Sequence, residues 1–135
     1  MLDFQRQWIA ASLHDFTPNA TFANYCGGQY GSESYRWRAA VVDFLCAGLR
    51  CGLIELTHKF AINEKRDSEG LRNLLTYGDV AAGIDTSILW DILYFNGTQQ
   101  LVEIVKKYGL HDWDSFDTRE NREFVIELGK LLSPE

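Results

Sequence analysis

The stretch that decides the fold is WRAAVVDFLCAG, residues 37–48. Its apolar residues recur at the three- and four-residue spacing of one helix face, which predicts the strongest amphipathic helix of the chain. Ser32 or Ser34 can begin this helix, and Gly52 supplies a natural end. Gly48 lies on the apolar face, where the missing side chain lets a neighbouring helix approach closely. We therefore expect this helix to lie at the centre of the fold.

The rest of the chain repeats one pattern, in which a capping residue is followed by an apolar stripe and then by a glycine or a turn. Besides the central helix, the pattern predicts helices over about 3–16, 68–77, 85–95, 98–108 and 118–132. The connections between them are short, as in bundles of antiparallel helices. The sequence therefore predicts an all-α fold, a compact bundle of about six helices that forms a single domain over residues 1–135.

The segment 53–62 fits two interpretations. Ile54, Leu56, Phe60 and Ile62 alternate with polar residues as in a strand, whereas Leu53, Leu56 and Phe60 also share a helix face. Because the sequence offers no second convincing strand to pair with it, we favour a helix and keep a short strand near 53–62 as the alternative. The polar residues 63–67 that follow are typical of an exposed turn.

Composition excludes several classes of function. The formal net charge is −6 and no run of lysine or arginine occurs, so nucleic acid is a poor partner. Three cysteines without a C-x-x-C pair indicate neither a disulfide framework nor a zinc site, which fits a reducing cytoplasm. No stretch approaches the roughly 20 apolar residues of a membrane span, and no export signal begins the chain. We expect a cytoplasmic protein with no membrane or nucleic-acid partner.

No pattern typical of catalysis or of a cofactor site stands out. The glycine-rich loop 27–31 precedes a helix but is not followed by the lysine of a phosphate-binding loop. The three histidines are scattered, so no helix face offers a pair of metal ligands. Sequence distance leaves open a cysteine and histidine pair, although nothing favours it. We therefore predict no catalytic site, cofactor or metal, and an enzyme stays the third interpretation, to be recognised by a deep pocket with convergent polar groups.

Two aromatic segments are candidates for binding a partner. Asp112, Trp113 and Asp114 place carboxylates around an indole just before the predicted last helix. The structural alternative is that aspartates here serve the helix start, with Asp117 as the N-cap and Glu120 closing a capping box.

The second segment lies in the helix that Asp85 begins. Helical spacing places Ile88, Leu89, Ile92, Leu93 and Phe95 on one arc, whereas Trp90 and Tyr94 fall together outside it, next to Asp91. Large aromatics at a surface are the usual anchors of protein interfaces. The alternative is that this helix is packed on both faces and buries both rings.

Small size, acidity and acidic-aromatic segments together resemble bacterial immunity proteins, in particular the contact-dependent growth inhibition type. The resemblance is one of general character across the chain. It implies an inhibitor that binds a cognate toxin domain, often a nuclease with a basic cleft, and blocks the substrate path. The competing hypothesis is a helical adaptor or regulatory domain, phage-encoded or self-associating. The candidate partner-binding residues are Trp90, Asp91, Tyr94, Asp112, Trp113 and Asp114.

Overall fold

The structure, a computed structural model, describes residues 2–57, 68–117 and 119–133. These residues form six α-helices and one two-stranded sheet, so the predicted all-α fold is confirmed. The elements in chain order are α1 Leu2–Leu13, α2 Ser34–Arg50, β1 Ile54–Leu56, α3 Ser68–Tyr77, α4 Thr86–Ile92, β2 Phe95–Gly97, α5 Gln99–Lys107 and α6 Arg122–Leu132. Short 3₁₀ helices in the connections cover Pro18–Ala20 and Trp113–Asp117, and the connection Tyr25–Tyr30 holds two 3₁₀ turns separated by the non-helical backbone of Cys26, Gly27 and Gly28.

The central position of α2 is confirmed. A Cβ atom added at Gly48 would lie 3.0 Å from the Trp8 ring of α1 and 3.0 Å from the Ile54 side chain of β1. The absence of a side chain at Gly48 therefore lets α1 and β1 pack directly on the helix, as the sequence predicted for this glycine.

The helix favoured over 53–62 is wrong for the part that the structure describes. Ile54–Leu56 is a strand that pairs antiparallel with β2, with Ile54 opposite Gly97 and Leu56 opposite Phe95. Phe95 also exchanges two backbone hydrogen bonds, of 2.8 and 2.9 Å, with Phe16. The sequence interpretation missed β2 because it assigned Phe95 to the end of a helix, so β1 had no apparent partner. The proposals for 58–62 and for the turn 63–67 lie outside the described residues.

The helix expected over 85–95 is shorter than predicted. Its Asp85 cap is confirmed, since the Asp85 carboxylate accepts a hydrogen bond from the Ser87 N–H. The helix ends at Ile92 because Leu93 adopts an extended backbone, with ψ near 129°, and carries the chain into β2. Phe95 therefore enters the core from the sheet.

The start of the last helix also differs from the prediction. Asn121, and not Asp117, is the N-cap of α6, with its side chain accepting the Phe124 N–H at 3.1 Å. The cause lies in α1, where the buried Gln5 amide donates to the Arg119 carbonyl at 3.0 Å and accepts the Asn121 N–H at 2.6 Å. These bonds hold the chain before Asn121 on α1, so the helix begins only after it.

All six helices and both strands contribute to one continuous cluster of buried apolar side chains. Its largest fully buried members include Trp8, Trp37 and Trp90. The chain has four tryptophans, and the fourth, Trp113, lies outside this cluster. Trp113 is therefore the tryptophan whose ring is exposed to a partner.

Candidate docking surfaces

Trp90 is not an exposed anchor. Its side chain is 1% exposed, and its indole N–H donates to the Leu75 carbonyl of α3 at 3.0 Å. On its other side the ring lies 5.5 Å from the Trp37 ring of α2, centroid to centroid. The Trp90 ring is thus buried between α2 and α3, as the alternative held for this ring, but α4 does not bury both faces, since Ser87, Ile88 and Asp91 are exposed. The assignment of faces is also wrong for Ile88, which is 50% exposed.

Asp91 and Tyr94 have different environments. Asp91 is exposed, and one of its carboxylate oxygens accepts a hydrogen bond from the Asn19 side-chain amide. Tyr94 is half-buried and follows the end of α4, where its backbone carbonyl accepts the Thr57 N–H at 2.9 Å. Of the three residues predicted in this segment, only Asp91 therefore lies at the surface in full.

Asp91 lines an open groove of about 490 Å³ between α2, α4 and the turn before α2. Two tyrosines line the same groove with highly exposed side chains, Tyr30 at 91% and Tyr35 at 70%. The guanidinium of Arg38 lies 4.3 Å above the ring of Trp90. We call this feature, lined by Tyr30, Tyr35, Arg38, Trp90 and Asp91 among others, the α2–α4 groove.

Trp113 is 53% exposed and begins the 3₁₀ helix that precedes α6. Its ring lies 5.1 Å from that of His14 and 6.0 Å from that of Phe116, centroid to centroid. Asp112 and Asp114 are exposed on either side of it in the chain, and Asp15, next to His14, is exposed as well. We call Trp113, His14, Asp15, Asp112 and Asp114 the Trp113 surface.

Asp112 has a structural role in addition to its charge. Its carboxylate accepts the backbone N–H of Ser115 at 2.8 Å and the Ser115 hydroxyl at 3.1 Å. Asp112 therefore caps the 3₁₀ turn and not the start of α6, which was the structural role proposed for these aspartates. Because the residue stays exposed, it still adds negative charge beside Trp113.

The segment 17–24 separates the α2–α4 groove from the Trp113 surface. Asn19 lines the groove, whereas Ala20 and Phe22 line a cleft that Trp113 and His14 border on the other side. The backbone of Phe22 is left-handed, with φ at 51°, which costs on the order of 1–3 kcal/mol for a residue other than glycine. Gln7 holds this conformation by accepting the Phe22 N–H at 2.8 Å. The two predicted patches thus border one fixed segment and remain separate.

Tyr30, Tyr35 and Arg38 were missed by the sequence interpretation. Tyr35 and Arg38 are three residues apart on α2, away from its apolar stripe, and this spacing was a usable signal. Tyr30 lies within the glycine-rich loop 27–31, whose glycines drew attention only to phosphate binding. Exposed aromatics on the polar side of a long helix would have pointed to the groove.

Ser12, His111 and Cys46 are engaged in structural contacts. The Ser12 hydroxyl donates to the Ile9 carbonyl at 2.7 Å, so its proton is directed away from His111, whose Nδ1 lies 3.3 Å from the same oxygen. Burial raises the pKa of the Cys46 thiol, which disfavours the reactive thiolate. Among the described residues, no three His, Cys, Asp or Glu side chains are placed to hold a metal ion.

Comparison with protein-family models, with curated proteins and with solved structures finds no match for this chain. Within the three described ranges, no helix combines the length and the apolar character that a membrane span requires.

Proposed function

We propose that this chain is an inhibitor of the immunity type, which acts in the cytoplasm by binding a basic toxin domain through the Trp113 surface. The observation that supports the proposal is a half-exposed indole with exposed aspartates on either side of it in the chain, and with a third, Asp15, next to the His14 that its ring contacts. Three cysteines that form no disulfide, Cys26, Cys46 and Cys51, fit a reducing compartment.

The indole supplies the apolar part of the contact. Its contacts with His14 and Phe116 restrict the ring before a partner arrives, so little side-chain entropy is lost on binding. Tryptophans of this kind are enriched among the few interface residues that cost about 2 kcal/mol or more when truncated. Trp113 is accordingly the residue that should slow dissociation.

The carboxylates supply the electrostatic part. Asp15, Asp112 and Asp114 add local negative charge to a chain whose formal net charge is −6. Such a surface attracts a basic partner before contact and mainly raises the association rate. Because salt screens exposed charges over about 10 Å at 0.1 M, the rate should fall as salt is added.

The first test measures binding to the C-terminal domain of the protein encoded by the neighbouring upstream reading frame. Trp113→Ala should lower the affinity by about thirtyfold or more, mainly through faster dissociation. Ile126→Ala is the matched control, because Ile126 is 52% exposed on α6 and belongs to neither surface. Equal losses in the two variants, or no binding by the unaltered chain, would contradict the proposal.

A second test separates charge from apolar contact. In the double variant with Asp15→Asn and Asp114→Asn, the association rate should fall and depend less on salt, while the dissociation rate changes little. Asp112 is left unchanged because it caps the turn that carries Trp113. An association rate that does not change with these substitutions would contradict the electrostatic part of the proposal.

A further inference from the structure

The α2–α4 groove is lined by two opposite charges that form no ion pair with each other. Arg38 projects from α2 and Asp91 from α4, and both line the groove. Among the described residues the recorded ion pairs join Arg36 to Glu33, Arg72 to Asp43 and Lys107 to Glu127, and none includes Arg38. The contact of the Arg38 guanidinium is with the buried Trp90 ring below it. A stacked guanidinium is held in place with its planar array of N–H donors available to an acceptor.

The other groups around the groove provide apolar contact and hydrogen-bond donors. Tyr30 and Tyr35 expose large rings at low conformational cost, and Gln29, Ser34 and Asn19 add polar side chains. The Asp91 carboxylate is already bound to the Asn19 amide, and among the described residues Arg38 forms no ion pair, its charge acting on the Asp85 carboxyl only as a minor contribution to the lowered pKa of that group. Tyrosine, tryptophan and arginine are the residue types most enriched where interfaces gain their affinity.

We propose that the α2–α4 groove is a second docking site, which binds a segment of a partner protein whose carboxylate side chain pairs with Arg38 while its apolar neighbours pack on Tyr30 and Tyr35. The carboxylate of such a segment would approach the guanidinium edge and form two parallel hydrogen bonds. This site differs in charge from the Trp113 surface, because it accepts an acidic segment and the Trp113 surface accepts a basic one. It does not depend on the proposed inhibition of a toxin.

The probe is a display library of random twelve-residue peptides, selected on the unaltered protein. Enriched peptides should share an acidic residue with apolar neighbours, and their synthetic versions should bind with measurable affinity in calorimetry. Arg38→Gln should weaken the selected peptides by about tenfold to a hundredfold, the range expected when a charged hydrogen-bonded pair is lost. Tyr35→Ala should weaken them too, because it removes apolar contact and leaves Arg38 in place.

The control is Arg36→Gln, which removes an arginine from the same turn of α2. The Arg36 guanidinium is paired with Glu33 at 3.0 Å, so this substitution should leave peptide binding unchanged. Trp113→Ala should also leave it unchanged, which separates this site from the proposed inhibitory surface. Thermal unfolding of each variant shows whether a loss of binding reflects a loss of folding.

Several results would overturn the proposal. Selection without enrichment, or peptides that lack an acidic residue, would remove the role of Arg38. If Arg36→Gln weakens peptide binding as much as Arg38→Gln does, the loss reflects the net charge of the protein and not a contact with Arg38. If a single-stranded oligonucleotide displaces the peptides, the groove binds phosphate groups instead of carboxylates. Self-association in sedimentation that Arg38→Gln abolishes would assign it to a second copy of the chain.

Discussion

Trp90 and Trp113 stand next to aspartates in the sequence, yet only one of them reaches the surface. The Trp90 ring contacts Trp37 of α2 on one side, and its N–H donates to the Leu75 carbonyl of α3. Trp113 lies in a 3₁₀ helix that packs mainly on α1, and about half of its side chain faces solvent. The number of elements packed around a segment therefore decides its exposure, and the acidic-aromatic pattern does not report that number.

The largest expected effect concerns the buried member of this pair. Trp90→Ala should lower the free energy of unfolding by about 3–5 kcal/mol, because it leaves a cavity and deprives the Leu75 carbonyl of its donor. Trp113→Ala should lower it by less than about 1 kcal/mol. Urea unfolding of both variants measures the difference. Similar losses would mean that the two tryptophans are equally part of the core.

Two glycines in helices allow the same comparison between a closely packed position and an open one. Gly48→Ala should lower the free energy of unfolding by about 1–3 kcal/mol, because the new Cβ would contact Trp8 and Ile54 at 3.0 Å. Gly129→Ala, in α6, should raise it by about 0.5–1 kcal/mol, because nothing lies within 4 Å of the new atom. Denaturant midpoints measure both changes. If both substitutions change the free energy of unfolding in the same direction, the packing described for α2 is contradicted.

The sequence predicted well what depends on neighbours along the chain. The spacing of apolar residues in α2 and the cap Asp85 report local geometry, and the structure confirms them. It predicted poorly what depends on distant partners. The strand β1 requires β2, about forty residues further on, and the start of α6 requires Gln5 of α1.

The same division applies to the candidate surfaces. Exposed aspartates at 91, 112 and 114 could be predicted, because charged residues without a buried partner stay in water. The burial of Trp90 could not, because it depends on where α2 and α3 pack. Tyr30 joins the α2–α4 groove only through the fold of the segment before α2, which no spacing in the sequence reveals.

The cap of α6 tests whether a distant contact or the local pattern sets the start of the helix that follows Trp113. Asn121→Ala should lower the free energy of unfolding by about 1 kcal/mol, because the Phe124 N–H loses its acceptor. Asn121→Ser should restore most of that loss. Glu120→Ala should change little, because Glu120 is exposed and does not cap α6. A larger loss in the Glu120 variant would support the capping box instead.

The smallest effect concerns the carboxylate that begins the helix of Trp90. The Ser87 hydroxyl and then the Ser87 N–H donate to Asp85, and these bonds lower the pKa of its carboxyl below the ordinary 3.8. A pKa that is lower in the folded chain stabilises the fold above the unfolded value, and the contribution is lost as pH falls through the folded value. Stability of the unaltered chain should therefore fall more steeply below about pH 4 than that of Asp85→Asn. Unfolding by urea at pH 7 and pH 3 measures the difference, with Asp114→Asn, beside the exposed tryptophan, as the control. Parallel losses in all three proteins would show that the hydrogen bonds at Asp85 contribute nothing to the helix start.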